Sequence, residues 1–155
     1  MNYRDFVRSV RQASTYPERL GLLNLVLRYD SLRPDPAFRS LALDKSVPYE
    51  QVYRAGVRGN QFNLMLRDLS FFQFSFSTQE EMRLAYYPNP FQLVNESWDE
   101  LFKELQDGDL DYELLDVIVG ESILDLRIPP IRVEVSSEQY TEIAHPFAHI
   151  HVGHQ

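Results

Sequence analysis

The stretch QFNLMLRDLSFFQFSFS, residues 61–77, decides the fold. Phe62, Leu64 and Leu66 fall at every second position, Arg67-Asp68 interrupts them, and Phe72, Phe74 and Phe76 resume the alternation. Strand side chains point alternately to opposite faces, so two alternating runs parted by a short polar step predict a hairpin. Residues 82–87 supply a third strand, closed by Pro88-Asn89-Pro90, because proline has no N–H to give a ladder. Three strands with short connections make an antiparallel meander over residues 61–87.

Working outward toward the N-terminus, Tyr3, Phe6, Val7 and Val10 recur at helical spacing and predict an amphipathic helix with its arginines turned to water. Residues 20–29 are apolar on nearly every side, and periodicity does not choose there between strand and helix. Arg33-Pro34-Asp35-Pro36 predicts a loop. Ser46 before Val47-Pro48 predicts an N-cap for a helix running to about Gly56.

Toward the C-terminus, Ser97 and Glu100 have the spacing of a capping box, which opens a helical insertion at about 97–119 with a break at Gly108. Residues 123–128 and 131–135 alternate on either side of Pro129-Pro130, and Ile150 and Val152 mark a last short strand. The expected architecture is α+β: a central antiparallel sheet of five or six strands, N-terminal helices and a helical insertion. Residues 1–155 read as a single domain.

A chain of 155 residues that is 44% hydrophobic can bury a core without disulfides or metal. The absence of cysteine excludes thiolate metal sites and cysteine nucleophiles and fits a reducing compartment. The charged start Asn2-Tyr3-Arg4-Asp5 resembles no secretory signal, and no apolar run reaches the roughly 20 residues that span a bilayer. A cytoplasmic protein with no membrane contact is the expectation. A formal charge of -8 disfavours broad nucleic-acid binding, which depends on excess Lys and Arg. That charge is divided unevenly. Residues 1–60 carry ten basic and six acidic side chains, while residues 61–155 carry five basic and seventeen acidic ones. Such a division can steer a protein partner or a second copy of the chain.

Asp107, Asp109 and Asp111 imitate the first half of a calcium loop, but Tyr112 and Ile118 stand where the loop needs glycine and a bidentate glutamate. The eleven acidic residues from Glu96 to Asp125 therefore read as a solvated face. No nucleotide loop, nucleophile elbow, zinc-helix motif or dinucleotide fingerprint is present, so no cofactor is designated.

All four histidines, His145, His149, His151 and His154, lie in the last eleven residues. On a strand, His149 and His151 share a face, where two imidazoles can bind zinc or handle a phosphate. The run is similar to that of the histidine-triad nucleotide hydrolases, except that His154 follows His151 after three positions and falls on the other side. Local hydrogen bonding of strand histidines is the plainer reading.

Pro48-Tyr49 with Tyr53, Asn63-Leu64-Met65-Leu66, the run from Arg83 to Pro90, Pro130-Ile131-Arg132, and His145-Pro146 with His149 and Gly153 together resemble an uncharacterised bacterial family, domain of unknown function twenty-two-ninety. The resemblance covers residues 47–155. It implies a fold and a place to look: the point where Arg83, Arg132, Glu134, His145, His149 and His151 converge. Family members usually carry Asp-Tyr-Asp-like residues where this chain has Val133-Glu134-Val135, and they continue past the terminal glycine. The chain therefore reads as a shortened homologue or a truncated protein.

Two functions are carried forward. The first is an intracellular interaction or accessory subunit docking through charged surfaces. The second is a small hydrolase or nuclease-like enzyme acting on a phosphate-containing substrate, with His149, His151 and Glu134 catalytic and Arg83, Arg132 and His145 holding the substrate.

Overall fold

The computed structural model describes residues 2–78, 81–92, 123–124, 128–137, 140–141 and 146–153. Helix α1, Tyr3–Arg19, starts at Asn2, whose side-chain oxygen accepts from the Asp5 amide at 2.9 Å while the Asp5 carboxylate accepts from the Asn2 amide at 3.4 Å. The reciprocal pair satisfies two amides that a helix start leaves over. Phe6, Val10 and Ser14 form its buried row, with Arg4, Arg8, Arg11 and Arg19 exposed. Gly21, at φ +66°, turns the chain out of the helix. Strand β1, Leu23–Val26, then resolves the ambiguous apolar stretch.

Two helix starts differ from expectation. Asp35 and Pro36 begin a helix instead of belonging wholly to a loop. The Asp35 carboxylate accepts from the amides of Ala37 (2.8 Å) and Phe38 (3.4 Å), and Pro36 opens α2, Pro36–Leu43. Helix α3, Tyr49–Arg58, is preceded by Pro48 as its cap residue, so Ser46 does not cap it. Ser46 is already engaged, since its amide and hydroxyl donate to Asp44 Oδ1 at 2.8 and 2.6 Å.

The meander forms as the alternation predicts: β2 is Leu64–Leu66, β3 Phe71–Thr78 and β4 Glu81–Tyr87. Arg67 and Asp68 make the turn, with the Leu69 amide donating to the Leu66 carbonyl at 3.0 Å. Beyond it, β5 (Phe91–Gln92) pairs with β6 (Ile123–Leu124) as a separate two-stranded sheet. Strands β7, Ile131–Ser136, and β8, Ala148–Val152, complete the main sheet. Its order is β1-β2-β3-β4-β7-β8, with every neighbouring pair antiparallel. The helical insertion expected at about 97–119 lies outside the described residues. Among the described residues no helix is long and apolar enough to cross a membrane.

The sheet is covered on both faces near β3. Phe72, Phe74 and Phe76 face α1, where the Phe6 and Phe76 rings lie 5.1 Å apart. Phe71 faces α2 and α3 in a larger core that includes Phe38, Val52, Tyr53, Val57, Ala85 and Tyr87. Gly56 lets α3 come this close, since a Cβ there would sit 2.7 Å from the Phe71 ring. Tyr49 and Tyr53 hydroxyls donate to the Pro88 and Leu69 carbonyls at 2.7 and 2.8 Å, and burial above all pushes both phenol pKa values up.

Candidate functional site

Strand register builds the site. In one row across three strands, Arg83 of β4 stands opposite Glu134 of β7, which stands opposite His149 of β8. In the neighbouring row, Ala85 stands opposite Arg132, and Arg132 opposite His151. Arg132 and Glu134, like His149 and His151, are two residues apart and so share a face. The face is the one that carries Phe71 and Tyr87 into the large core.

Five of the six residues singled out from the sequence therefore come together. The sixth, His145, lies outside the described residues. The five side chains are 12% to 22% exposed, buried enough for charge to act strongly and open enough for a ligand to reach them.

The Glu134 carboxylate sits at the centre, and its two oxygens have different neighbours. Oε1 faces the guanidiniums, with Arg132 Nε at 3.0 Å and Arg83 Nε at 3.6 Å. Oε2 faces the imidazoles, with Nε2 of His149 and of His151 each at 3.5 Å. Those last distances exceed the usual N–H···O range of about 2.7–3.2 Å. The two imidazole rings meet edge to face with centroids 4.6 Å apart.

His149 Nδ1 lies 3.1 Å from the Pro146 carbonyl oxygen. A carbonyl can only accept, so this nitrogen carries the proton, and in the neutral form of the ring Nε2 bears the lone pair that faces Glu134. Arg83 donates from Nη2 to the Tyr87 hydroxyl at 3.0 Å. The Nε atoms of both arginines are buried and make no aligned hydrogen bond among the described residues, although they are ion-paired with Glu134. Burial lowers the pKa of Arg132, with Glu134 opposing the fall and Arg83 adding to it. Two guanidiniums beside one carboxylate leave net positive charge when both imidazoles are neutral.

Glu134, His149 and His151 each offer one ligand atom, all within 4.8 Å of one another, and are the described residues able to hold a metal ion together. A small cleft open to solvent adjoins the group, lined by Ala42, Ala85, Tyr87, Arg132, His151 and Gly153. Two contributors were not singled out from the sequence. Tyr87 lies four positions from Arg83 on the same strand, hence on the same face, and that parity was the available signal. The Pro146 carbonyl carried no signal, because a backbone acceptor leaves no trace in side-chain patterns.

A family model described as "Uncharacterized conserved protein (DUF2290)" matches residues 31–155. All five convergent residues fall inside the match, while α1 and β1 precede it. No curated protein and no solved structure matches the chain.

Proposed function

The chain belongs to the DUF2290 family, and we propose that it is a small hydrolase acting on a phosphate-containing substrate at the Arg83, Arg132, Glu134, His149 and His151 cluster. The observation that carries this reading is the convergence of two part-buried arginines, whose Nε–H groups lack aligned acceptors, with two imidazoles around one carboxylate. Guanidinium groups match phosphate oxygens in geometry and charge, so Arg83 and Arg132 hold the anion. His149 and His151, with Glu134 between them, form the side of the site that activates water. In the reaction the water oxygen bonds to phosphorus as the ester P–O bond breaks. One water proton passes to the leaving oxygen, and the hydroxyl remains on the phosphate.

Turnover of generic phosphomonoesters and phosphodiesters by the purified chain tests the reading. His149→Ala is expected to lower kcat by about 100-fold or more, with an unchanged circular dichroism spectrum, while Arg132→Lys chiefly raises KM. Activity that survives His149→Ala at the wild-type level would rule out this site.

A second reading, docking to a protein partner through charge, is favoured by the four exposed arginines Arg4, Arg8, Arg11 and Arg19 on α1. Such contacts weaken as salt screens them. A stoichiometric partner recovered with the intact chain at low salt should be lost both at high salt and from the Arg4→Glu/Arg11→Glu variant. Retention in both conditions would count against this surface.

A further inference from the structure

We propose that Glu134, His149 and His151 form a binding site for a divalent transition-metal ion of the zinc class, held by Glu134 Oε2 and the two Nε2 atoms. Geometry is the first support. Ligand atoms bonded to one tetrahedral zinc at about 2.0–2.1 Å stand about 3.3 Å from each other. Both Nε2 atoms lie 3.5 Å from Oε2, close to that tetrahedral edge and too far for good direct hydrogen bonds.

The hydrogen bonds behind the ligands give independent support. A metal-bound histidine usually donates its other ring N–H to a carbonyl or carboxylate, which fixes the tautomer and aims the lone pair. His149 has this arrangement through Nδ1 and the Pro146 carbonyl. Left without a cation between them, the His149 Nε2 lone pair and the carboxylate oxygen would face each other as two acceptors. Protonating both imidazoles instead would place four cationic side chains around one carboxylate. Ion pairing of Arg132 to Oε1 leaves Oε2 for the metal and orients the carboxylate, as ligating carboxylates require.

Three protein ligands leave a coordination position for water, which is the arrangement of catalytic rather than structural zinc. The inference rests on the hydrolytic reading only for the role of the ion: the metal, and not an imidazole, would lower the pKa of the attacking water. Arg83 and Arg132 then supply the charge that draws an anionic substrate to that position. Two histidines and one carboxylate also suit iron(II), so both ions are tested.

The experiment uses the full chain, stripped with chelator and dialysed against zinc sulfate or, anaerobically, against iron(II) sulfate, with metal content then measured. One equivalent per chain is expected for one or both ions, with affinity about 100-fold weaker or worse in His149→Ala and His151→Ala. Glu134→Gln keeps the side-chain size and gives a third variant should an alanine disturb folding. Its affinity should also fall, while its circular dichroism matches that of the metal-free wild type. Cobalt(II) should give the intense visible bands of a four- or five-coordinate site. Failure of the wild type to retain either ion, or equal retention by all three variants, overturns the site. A loaded chain that turns over no phosphoester removes the hydrolytic reading alone, and turnover indifferent to chelation removes the metal alone.

Discussion

Replacing Asn63 by alanine is expected to cost about 2–4 kcal/mol of stability, because the substitution strands the buried Phe74 amide, at about 1–3 kcal/mol, and takes a side-chain donor from two partly buried carbonyls. Asn63 is fully buried just before β2. Its amide nitrogen donates to the Asp30 carbonyl at 2.8 Å and the Arg28 carbonyl at 3.4 Å, and its carbonyl oxygen accepts from the Phe74 amide at 2.7 Å. Its own backbone accepts from Leu27 at 2.9 Å and donates to Phe72 at 2.8 Å. One side chain thus joins the segment after β1 to the middle of β3, beside the backbone bond from the Leu32 amide to the Phe74 carbonyl at 2.9 Å. Alanine would leave the Phe74 N–H without its partner in a region that excludes water, and would take the side-chain donor from the partly buried Asp30 C=O. Urea denaturation checks the value against Ser77→Ala, an exposed change on the same sheet that should stay within about 0.5 kcal/mol. A loss below about 1 kcal/mol for Asn63→Ala would show that water or a backbone shift replaces the amide.

The fold was legible where one physical rule acted without competition. Alternation at Phe62, Leu64 and Leu66 and again at Phe72, Phe74 and Phe76 identified the meander, since only a strand repeats every two residues. Asp35-Pro36 was read as loop because the pair serves both purposes. A proline that closes one segment also opens the first turn of a helix, and only the amides of Ala37 and Phe38 on the aspartate decide between them. Ser46 failed as a cap for a related reason, since Asp44 two residues earlier competes for the same hydroxyl and amide. The double burial of β3 had a signal that alternation masks: on the face opposite Phe72, Phe74 and Phe76, Phe71 is fully buried against α2 and α3, and Gln73 is fully buried with its amide donating to the Gln61 carbonyl.

For the site, parity was legible and register was not. Two residues apart on a strand means one face, so the pairs His149 with His151 and Arg132 with Glu134 followed from numbering. That Arg83, Glu134 and His149 fall in a single row depends on how far β7 slides along β4, and β8 along β7. Long connections separate β4 from β7, and nothing in side-chain pattern sets their register to one residue. The apolar positions Leu84, Val133 and Ile150 form the matching row on the opposite face and are 47%, 37% and 65% exposed. A slip of one residue would move the charged row to that side. The contacts that cross between strands, from Glu134 to Arg83 on one side and to His149 and His151 on the other, are what oppose such a slip.

Phe71→Ala is the substitution expected to cost most, about 3–5 kcal/mol, as for other large aromatic side chains removed from a closed core. Phe71 is fully buried, with ring centroids 4.7 Å from Tyr87, 5.6 Å from Tyr53 and 5.7 Å from Phe62. Its ring also fills the space that Gly56 opens in α3, so truncation leaves a cavity that helix and sheet cannot easily close together. Domains of this size have about 5–15 kcal/mol in total, and such a loss brings the chain near the margin of folding. Phe71→Leu, which keeps part of the volume, should lose less and stay folded. That variant also separates core from site: Tyr87 stacks on Phe71 and accepts from Arg83, so loosening the ring should weaken anion binding before unfolding is detectable. Denaturation midpoints for the two variants, with phosphate affinity measured on Phe71→Leu, check both halves. Leu84→Ala, on the exposed face of the same sheet, should change stability by less than about 1 kcal/mol. If Leu84→Ala costs as much as Phe71→Ala, the row of Leu84, Val133 and Ile150 is buried in solution and the core on the α1 side extends beyond β3.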